Sequence, residues 1–452
     1  MFLSFWHAAP PQARRSLIAA ALGWMLDAFD VMLYALVLAS LMGALGMDTR
    51  TAGLLGSLTL VASAAGGILF GFVADRFGRT RALIASIVIY SVFTFACGLA
   101  QSVWQLAVFR LLLGLGMGGE WASGAALVSE TWPAEHRGKA LGLMQSAWAI
   151  GYGLAALVNM LVLPAFGWRA VFFVGILPAF LTLWVRRRVE EPEIWLQARR
   201  GAKTGVPSPE HSAGALRHDG AVVVDWPGAG QHGRAAPSPP HRTDAAGHAA
   251  DSDRPEFRGD LLALTIVLSL MNACTMFAWW GLNLWVPAYL TLPTARGGVG
   301  LDPVAMSWLV IAMQVGMWFG YVTFGFVSDA AGRRRTYVAY LVGAAGLVFA
   351  YGHTRDWRVL LALGPVVAFF GTGYFSGFGA VTAELYPTRM RATAQGFTYN
   401  IGRLASAVAP FLVGSLADTR GFGAAFTVSA AAFLAAAVCW AWIPETAGRA
   451  LE

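Results

Sequence analysis

Gly71-Phe-Val-Ala-Asp75-Arg-Phe-Gly78-Arg79 returns, 254 residues later, as Gly325-Phe-Val-Ser-Asp329-Ala-Ala-Gly332-Arg333. A second pair keeps the same spacing. Glu130-Thr-Trp-Pro133 with Arg137 and Gly142 matches Glu384-Leu-Tyr-Pro387 with Arg391 and Gly396. Two separate motifs at one offset indicate an internal duplication. Each copy sits between long apolar runs, and parallel six-helix repeats are one architecture of secondary transporters.

The rest of the chain agrees. Of its 452 residues 57% are hydrophobic and 13% charged, with a mean hydropathy of +0.57. A soluble domain carries about 25% charged residues, so a disordered chain, a coiled coil, a disulfide scaffold and a cytosolic enzyme are all disfavoured. The net charge of +7 does not point to nucleic acid, because the arginines lie in short loops between apolar runs. Cys97, Cys274 and Cys439 fall inside apolar runs without metal-ligand spacing and read as small buried hydrophobes. The first apolar run is too long for a cleavable signal peptide.

Twelve apolar segments are long enough to span a bilayer. Their approximate limits are 17–43, 52–74, 82–100, 104–131, 140–164, 170–187, 259–291, 304–327, 336–352, 357–384, 393–416 and 422–443. Lipid leaves no partner for an open strand's backbone, so they are expected to be helices. With both termini inside, the inner segments hold 24 Lys and Arg and the outer loops 6, while Arg110 and Arg403 lie within spans. That asymmetry predicts cytoplasmic termini. Residues 189–258 break the pattern. Their Gly, Ala, Pro, Ser and His content, with His211, His218, His232, His241 and His248 irregularly spaced, predicts a disordered cytoplasmic linker. It separates an N-terminal six-helix bundle (1–188) from a C-terminal one (259–452).

These motifs resemble the major facilitator superfamily over essentially the whole chain outside the linker. The Gly-x-x-x-Asp-Arg-x-Gly-Arg loop is that family's signature, and Arg110-Leu-Leu-Leu-Gly-Leu-Gly resembles its span-four motif. Glu130 with Arg137, Glu190-Glu-Pro-Glu-Ile-Trp195 and Pro444-Glu-Thr-x-Gly448 resemble the sugar-porter side. Asp27-Ala-Phe-Asp30 and Tyr399-Asn-Ile-Gly-Arg403 are more similar to the sialate and metabolite proton symporters, which handle organic acids. Sugar-porter polar signatures are missing from span seven. The Gly-Pro motif of drug–proton antiporters is missing from Ala149-Ile-Gly-Tyr-Gly-Leu154.

Charges within spans are the sharper signal, since each costs about 2.5–3.5 kcal/mol at a helix centre on insertion scales. They are Asp27, Asp30, Arg110, Glu120 and Arg403, and none has a charged mate in the other half. Asp27 and Asp30 are three residues apart on one face. Straight-helix rise puts Asp30 about 20 Å from the cytoplasmic face and Arg110 about 9 Å from the outer one, the same level in a core about 30 Å thick. A carboxylate pair near an arginine can exchange a proton as its pairing changes. Asp30 is the expected proton carrier, Asp27 its backup and Arg110 the tuning charge. Glu120, about 24 Å from the outer face, lies closer to the cytoplasm. That argues against a pair with Arg403 and leaves Glu120 a second proton site or a gate partner.

Arg403 falls near the midplane, where its fork suits a substrate carboxylate. Asn400 and Tyr399 precede it by three and four residues and are expected to help. Gln145, Trp148, Trp280, Asn283 and Tyr374 complete the expected substrate set, with Asn272 and Trp279 nearby in span seven. Asp75, Arg79, Glu130, Arg137, Asp329, Arg333, Glu384 and Arg391 form the expected cytoplasmic gate. The sequence holds no Walker loop or catalytic constellation, and Gly114-Leu-Gly-Met-Gly-Gly119 reads as helix packing rather than a dinucleotide site.

The expectation is therefore an all-α, twelve-span inner-membrane symporter without cofactor or metal. It would work as a monomer, carrying a small organic anion (a carboxylate, aromatic acid or acidic sugar) together with protons. A neutral-solute carrier, a drug–proton antiporter and a non-transporting sensor are the alternatives.

Overall fold

A computed structural model of the chain describes residues 6, 9–132, 134–192, 196, 255–386 and 391–447. Most of the expected linker, its five histidines, Pro133, Pro387 and Gly448 fall outside the described residues. So do the side chains of Trp121, Arg137 and Arg391.

The described residues are helical. The first half holds α1 (Pro11–Leu45), α2 (Thr49–Phe77), α3 (Arg79–Leu99), α4 (Val103–Thr131), α5 (Ala134–Val174) and α6 (Pro178–Arg188). The second holds α7 (Pro255–Thr291), α8 (Pro303–Ala331), α9 (Arg333–His353), α10 (Trp357–Gly373), α11 (Phe375–Leu385), α12 (Arg391–Ser406) and α13 (Ala409–Cys439). Residues 1–192 and 264–452 pack as one compact unit. Nine helical stretches among the described residues are long and apolar enough to cross a membrane. Two of them contain a glycine out of helical conformation, Gly167 (φ 76°) and Gly421 (φ 79°), and each therefore joins two helices.

The 254-residue offset reaches well beyond the two motifs. Asp48 caps the N-terminus of α2 through the Thr51 N–H at 2.7 Å, and Asp302 caps α8 through the N–H groups of Val304 and Ala305. Ser102 and Asp356 cap α4 and α10 in the same way. These side chains satisfy helix-start donors that otherwise lack partners. The turns before α3 and α9 run through Gly78 (φ 117°) and Gly332 (φ 93°), a backbone region L side chains avoid. The breaks at Gly167 and Gly421 also share the offset.

Small residues set the close helix contacts. On α2, Gly66 faces the Leu115 backbone, while Gly114 and Gly118 of α4 face the carbonyls of Thr59 and Ser63. Gly316 and Gly320 of α8 meet the Pro365 and Phe369 carbonyls of α10 in the same manner. This is how helices approach where lipid supplies no hydrophobic drive, and it accounts for the Gly114–Gly119 run. The outer surface stays apolar: Ile68, Phe72 and Phe326 are more than 60% exposed, as suits side chains facing hydrocarbon.

Candidate functional site

All five charges singled out within spans are buried, at 5% exposure or less. They form two groups. Asp30 on α1 accepts from Thr94 Oγ1 of α3 at 3.1 Å, and its other oxygen has no hydrogen-bond partner. Cys97 lies within electrostatic reach of both Asp30 and Arg110. Arg110 stacks its guanidinium over the Tyr34 ring at 3.9 Å. Two of its nitrogens lack hydrogen-bond partners, and no described carboxylate stands at ion-pair distance. Asp30 and Arg110 thus share a neighbourhood, as their estimated depths suggested, but not a salt bridge.

The second group joins the halves. Asp27 (α1) and Glu120 (α4) both lie within electrostatic reach of Arg403 (α12) and of each other. Neither oxygen of Glu120 has a hydrogen-bond partner, nor does Oδ2 of Asp27. Glu120 rests against the bare backbone of Gly23 on α1. Depth arithmetic had separated Glu120 from Arg403. It treats each helix as an upright rod, whereas spans tilt and cross.

Arg403 also lines a small cavity between the halves, about 40 Å³, room for a water but not for an organic acid. From the first half come Trp24, Met117, Gln145 and Trp148. From the second come Met276, Trp279, Trp280, Tyr321, Phe375, Tyr399 and Arg403. Trp148 bridges two other indoles, with centroids 4.8 Å from Trp24 and 6.0 Å from Trp280. Five residues of the expected substrate set, Gln145, Trp148, Trp280, Tyr399 and Arg403, therefore share one wall.

Three others do not. Asn400 is exposed and donates its amide to the Gly396 carbonyl at 2.9 Å. A three-residue step turns it about 60° from Arg403, enough to leave the cavity. Asn283 is buried, but its amide meets Met32 Sδ and its carbonyl faces the Tyr152 hydroxyl. Tyr374 spends its hydroxyl on the Thr275 carbonyl inside the second half. Asn272 likewise binds backbone, donating to the Thr398 carbonyl at 3.0 Å and so fixing α12. Trp24, Met117, Met276, Tyr321 and Phe375 were missed. Only Trp24 carried a signal, lying one turn before Asp27 on the same face of α1.

The loop motifs form two matching ionic clusters. Arg79 pairs with Asp75 and with Glu130 at 2.9 Å, and Arg333 with Asp329 and with Glu384 at 3.0 Å. Each of these four pairs lies within one half. Glu191 accepts from the N–H groups of Thr80 and Arg81, and Glu445 from those of Arg333 and Arg334. These two glutamates share the 254-residue offset and belong to the motifs read after spans six and twelve.

At the opposite end the halves touch directly. Ser57 Oγ accepts from the Phe411 N–H at 3.1 Å, and Asn159 donates its amide to Ser307 Oγ at 3.1 Å. Gly53 packs against the Pro410 backbone.

Comparison with known proteins agrees with this architecture. The profile of the Major Facilitator Superfamily matches residues 20–292 and 268–451. The chain is 31% identical to a putative metabolite transport protein of Haemophilus influenzae, over 97% of this chain and 98% of that one. It is 30% identical to the cis,cis-muconate transport protein of Acinetobacter baylyi, over 92% and 90%. The partially occluded, inward-open xylose transporter XylE from E. coli superposes with a TM-score of 0.72 at 18% identity, covering 98% of this chain and all of that one. With the repeat, the buried charges and these relatives in agreement, the chain belongs to the Major Facilitator Superfamily and is a multi-pass membrane transporter rather than an enzyme.

Proposed function

We propose that the protein is a proton-coupled symporter of a small organic anion, working by alternating access in the inner (plasma) membrane. It crosses twelve times, with both termini cytoplasmic. Bundles 1–188 and 259–452 rock about the central cavity, joined by the 189–258 linker, and the chain acts as a monomer. The observation that carries this reading is the buried trio of Asp27, Glu120 and Arg403 beside the cavity. Two carboxylates and one guanidinium are neutral together when a single proton is aboard. A substrate carboxylate that takes the Arg403 fork leaves a buried carboxylate without its counter-charge. A second proton from water then restores neutrality. Anion and proton thus enter together, and the site empties as a unit. Asp30 with Thr94, near Arg110, supplies a relay station on the same face of α1. The relative named for cis,cis-muconate supports an organic acid as cargo.

The ionic clusters around Arg79 and Arg333 form the cytoplasmic gate. In this conformation the Arg79–Glu130 and Arg333–Glu384 pairs each lie within one half, while the outer end is closed. Exchange of those partners between halves is the counterpart movement. Arg137 and Arg391 belong to the same gate.

Purified protein in liposomes loaded with a pH dye tests the reading. A carboxylate panel is added outside, with sugars and cationic drugs as controls. The expected result is internal acidification with one class of acid, beyond its passive leak, and lost in Asp27→Asn. Silence across the acids with uptake of a labelled neutral solute, or alkalinisation on adding a drug, would refute anion symport. So would a full pH response in Asp27→Asn, Asp30→Asn and Glu120→Gln alike.

A further inference from the structure

The cavity wall holds two indole N–H donors that the fold leaves unused. Trp24 and Trp148 are each 4% exposed, and neither Nε1 has a hydrogen-bond partner. A buried indole ordinarily finds an acceptor. Here Trp132 donates to the Ala13 carbonyl at 2.7 Å and Trp285 to the Pro410 carbonyl at 2.9 Å. Trp440 also lacks a partner, but it is stacked on Tyr337 at 4.4 Å and is not among the residues lining this cavity. Trp24 and Trp148 differ in standing together, centroids 4.8 Å apart, on the wall of the space Arg403 lines.

Resting on the organic-anion reading, we propose that Trp24 and Trp148 form a second polar subsite. It accepts an oxygen of a planar, unsaturated acid whose carboxylate is held by Arg403. Donors point to an acceptor on the ligand, so the second group is a hydroxyl, carbonyl or carboxylate oxygen. Planarity follows from the walls. Trp148 stands edge-on to Trp280, and Trp279 edge-on to Phe375, surfaces that favour a flat π-system in stacked or edge contact. A polyhydroxylated sugar acid would bury several donors against these apolar rings without acceptors to meet them. A saturated ring acid with no second oxygen would gain neither the ring contact nor the indole bonds. The subsite thus sets specificity, while Arg403 sets the charge class.

Competition against uptake of labelled 4-hydroxybenzoate into proteoliposomes tests this with three probes: 4-hydroxybenzoate, benzoate and cyclohexanecarboxylate. The wild type should prefer the hydroxylated acid over benzoate by about three- to ten-fold, the worth of one neutral hydrogen bond, and benzoate over the saturated ring. Trp24→Phe and Trp148→Phe keep the ring and delete the donor. Each should move the first ratio toward one while benzoate changes by less than about two-fold. Arg403→Lys should weaken all three. Variants are compared only where they elute monodisperse with wild-type thermal midpoints. The ratio staying put in both Phe variants would overturn the subsite, showing that a resident water satisfies the indoles. Equal affinity for the saturated acid would overturn the planar preference. Binding of none of the acids, with a neutral solute accumulated instead, would overturn the anion reading itself.

Discussion

A methyl group at position 23 would stand 2.5 Å from the Glu120 carboxylate oxygen, well inside contact distance. Gly23 therefore makes the berth that keeps Glu120 beside Asp27 and Arg403. Gly23→Ala is expected to swing that flexible carboxylate out of the trio. Proton-driven uptake should fall at least about ten-fold if the displacement removes about 1.4 kcal/mol of coupling, with membrane insertion retained. Wild-type uptake and an unshifted pH profile in Gly23→Ala would show that the trio does not depend on this contact. The charges themselves were legible in the sequence, because an ionised side chain in an apolar run stands out. Their grouping was not. Asp27 and Asp30 are neighbours in sequence and interact with each other, yet Asp27 lies within reach of Arg403 while Asp30 bonds Thr94. Tyr321 and Phe375 stayed hidden for the opposite reason: an aromatic residue in a membrane span is the commonplace case.

At the level of the helix, the start of α9 shows how one loop residue fixes a boundary. Burial alone would raise the Glu445 carboxyl, but the N–H groups of Ala447, Arg333, Arg334 and Thr446 outweigh it and hold the group below its ordinary value. A carboxylate with a depressed native pKa adds stability above its unfolded value, near 4.3, and loses it as pH falls through the lower native value. Glu445→Gln should therefore lower the thermal midpoint at pH 7, and the gap from wild type should narrow below about pH 4. An equal gap at both pH values would assign the effect to packing rather than charge. Asp48 and Thr51 repeat the logic at α2, the Thr51 bonds lowering the Asp48 carboxyl. Helix starts were readable where a cap or a motif marked them. The interruptions were not: the break between α10 and α11 at Tyr374 and the one between α12 and α13 near Ala407 lie within runs that each read as one continuous span. Tyr374 is set there by Tyr337, whose hydroxyl donates to its carbonyl at 2.9 Å, a contact between residues 37 positions apart.

The duplication governs the whole molecule. Caps, glycine turns, ionic clusters and their backing glutamates all recur at one offset, of which the two short motifs showed only the glycine turns and the clustered charges. The symmetric parts are the frame, while the trio of Asp27, Glu120 and Arg403, which has no charged mate at that offset, marks the proposed cargo site. The frame makes a mechanical prediction. Outer-end contacts such as Asn159 with Ser307 join the halves, whereas the Arg79–Glu130 and Arg333–Glu384 pairs each lie within one half. A rocking transporter must part the outer contacts once per cycle. Asn159→Cys with Ser307→Cys, in a background with Cys97, Cys274 and Cys439 replaced by alanine, should cross-link on oxidation and hold that end shut. Uptake should then fall at least about ten-fold and return on reduction, as expected when an engineered bond blocks a required opening. Either single cysteine should transport under both conditions, which separates locking from damage. Full uptake by protein shown to be cross-linked would mean that the outer end need not open, and alternating access about this cavity would have to be abandoned.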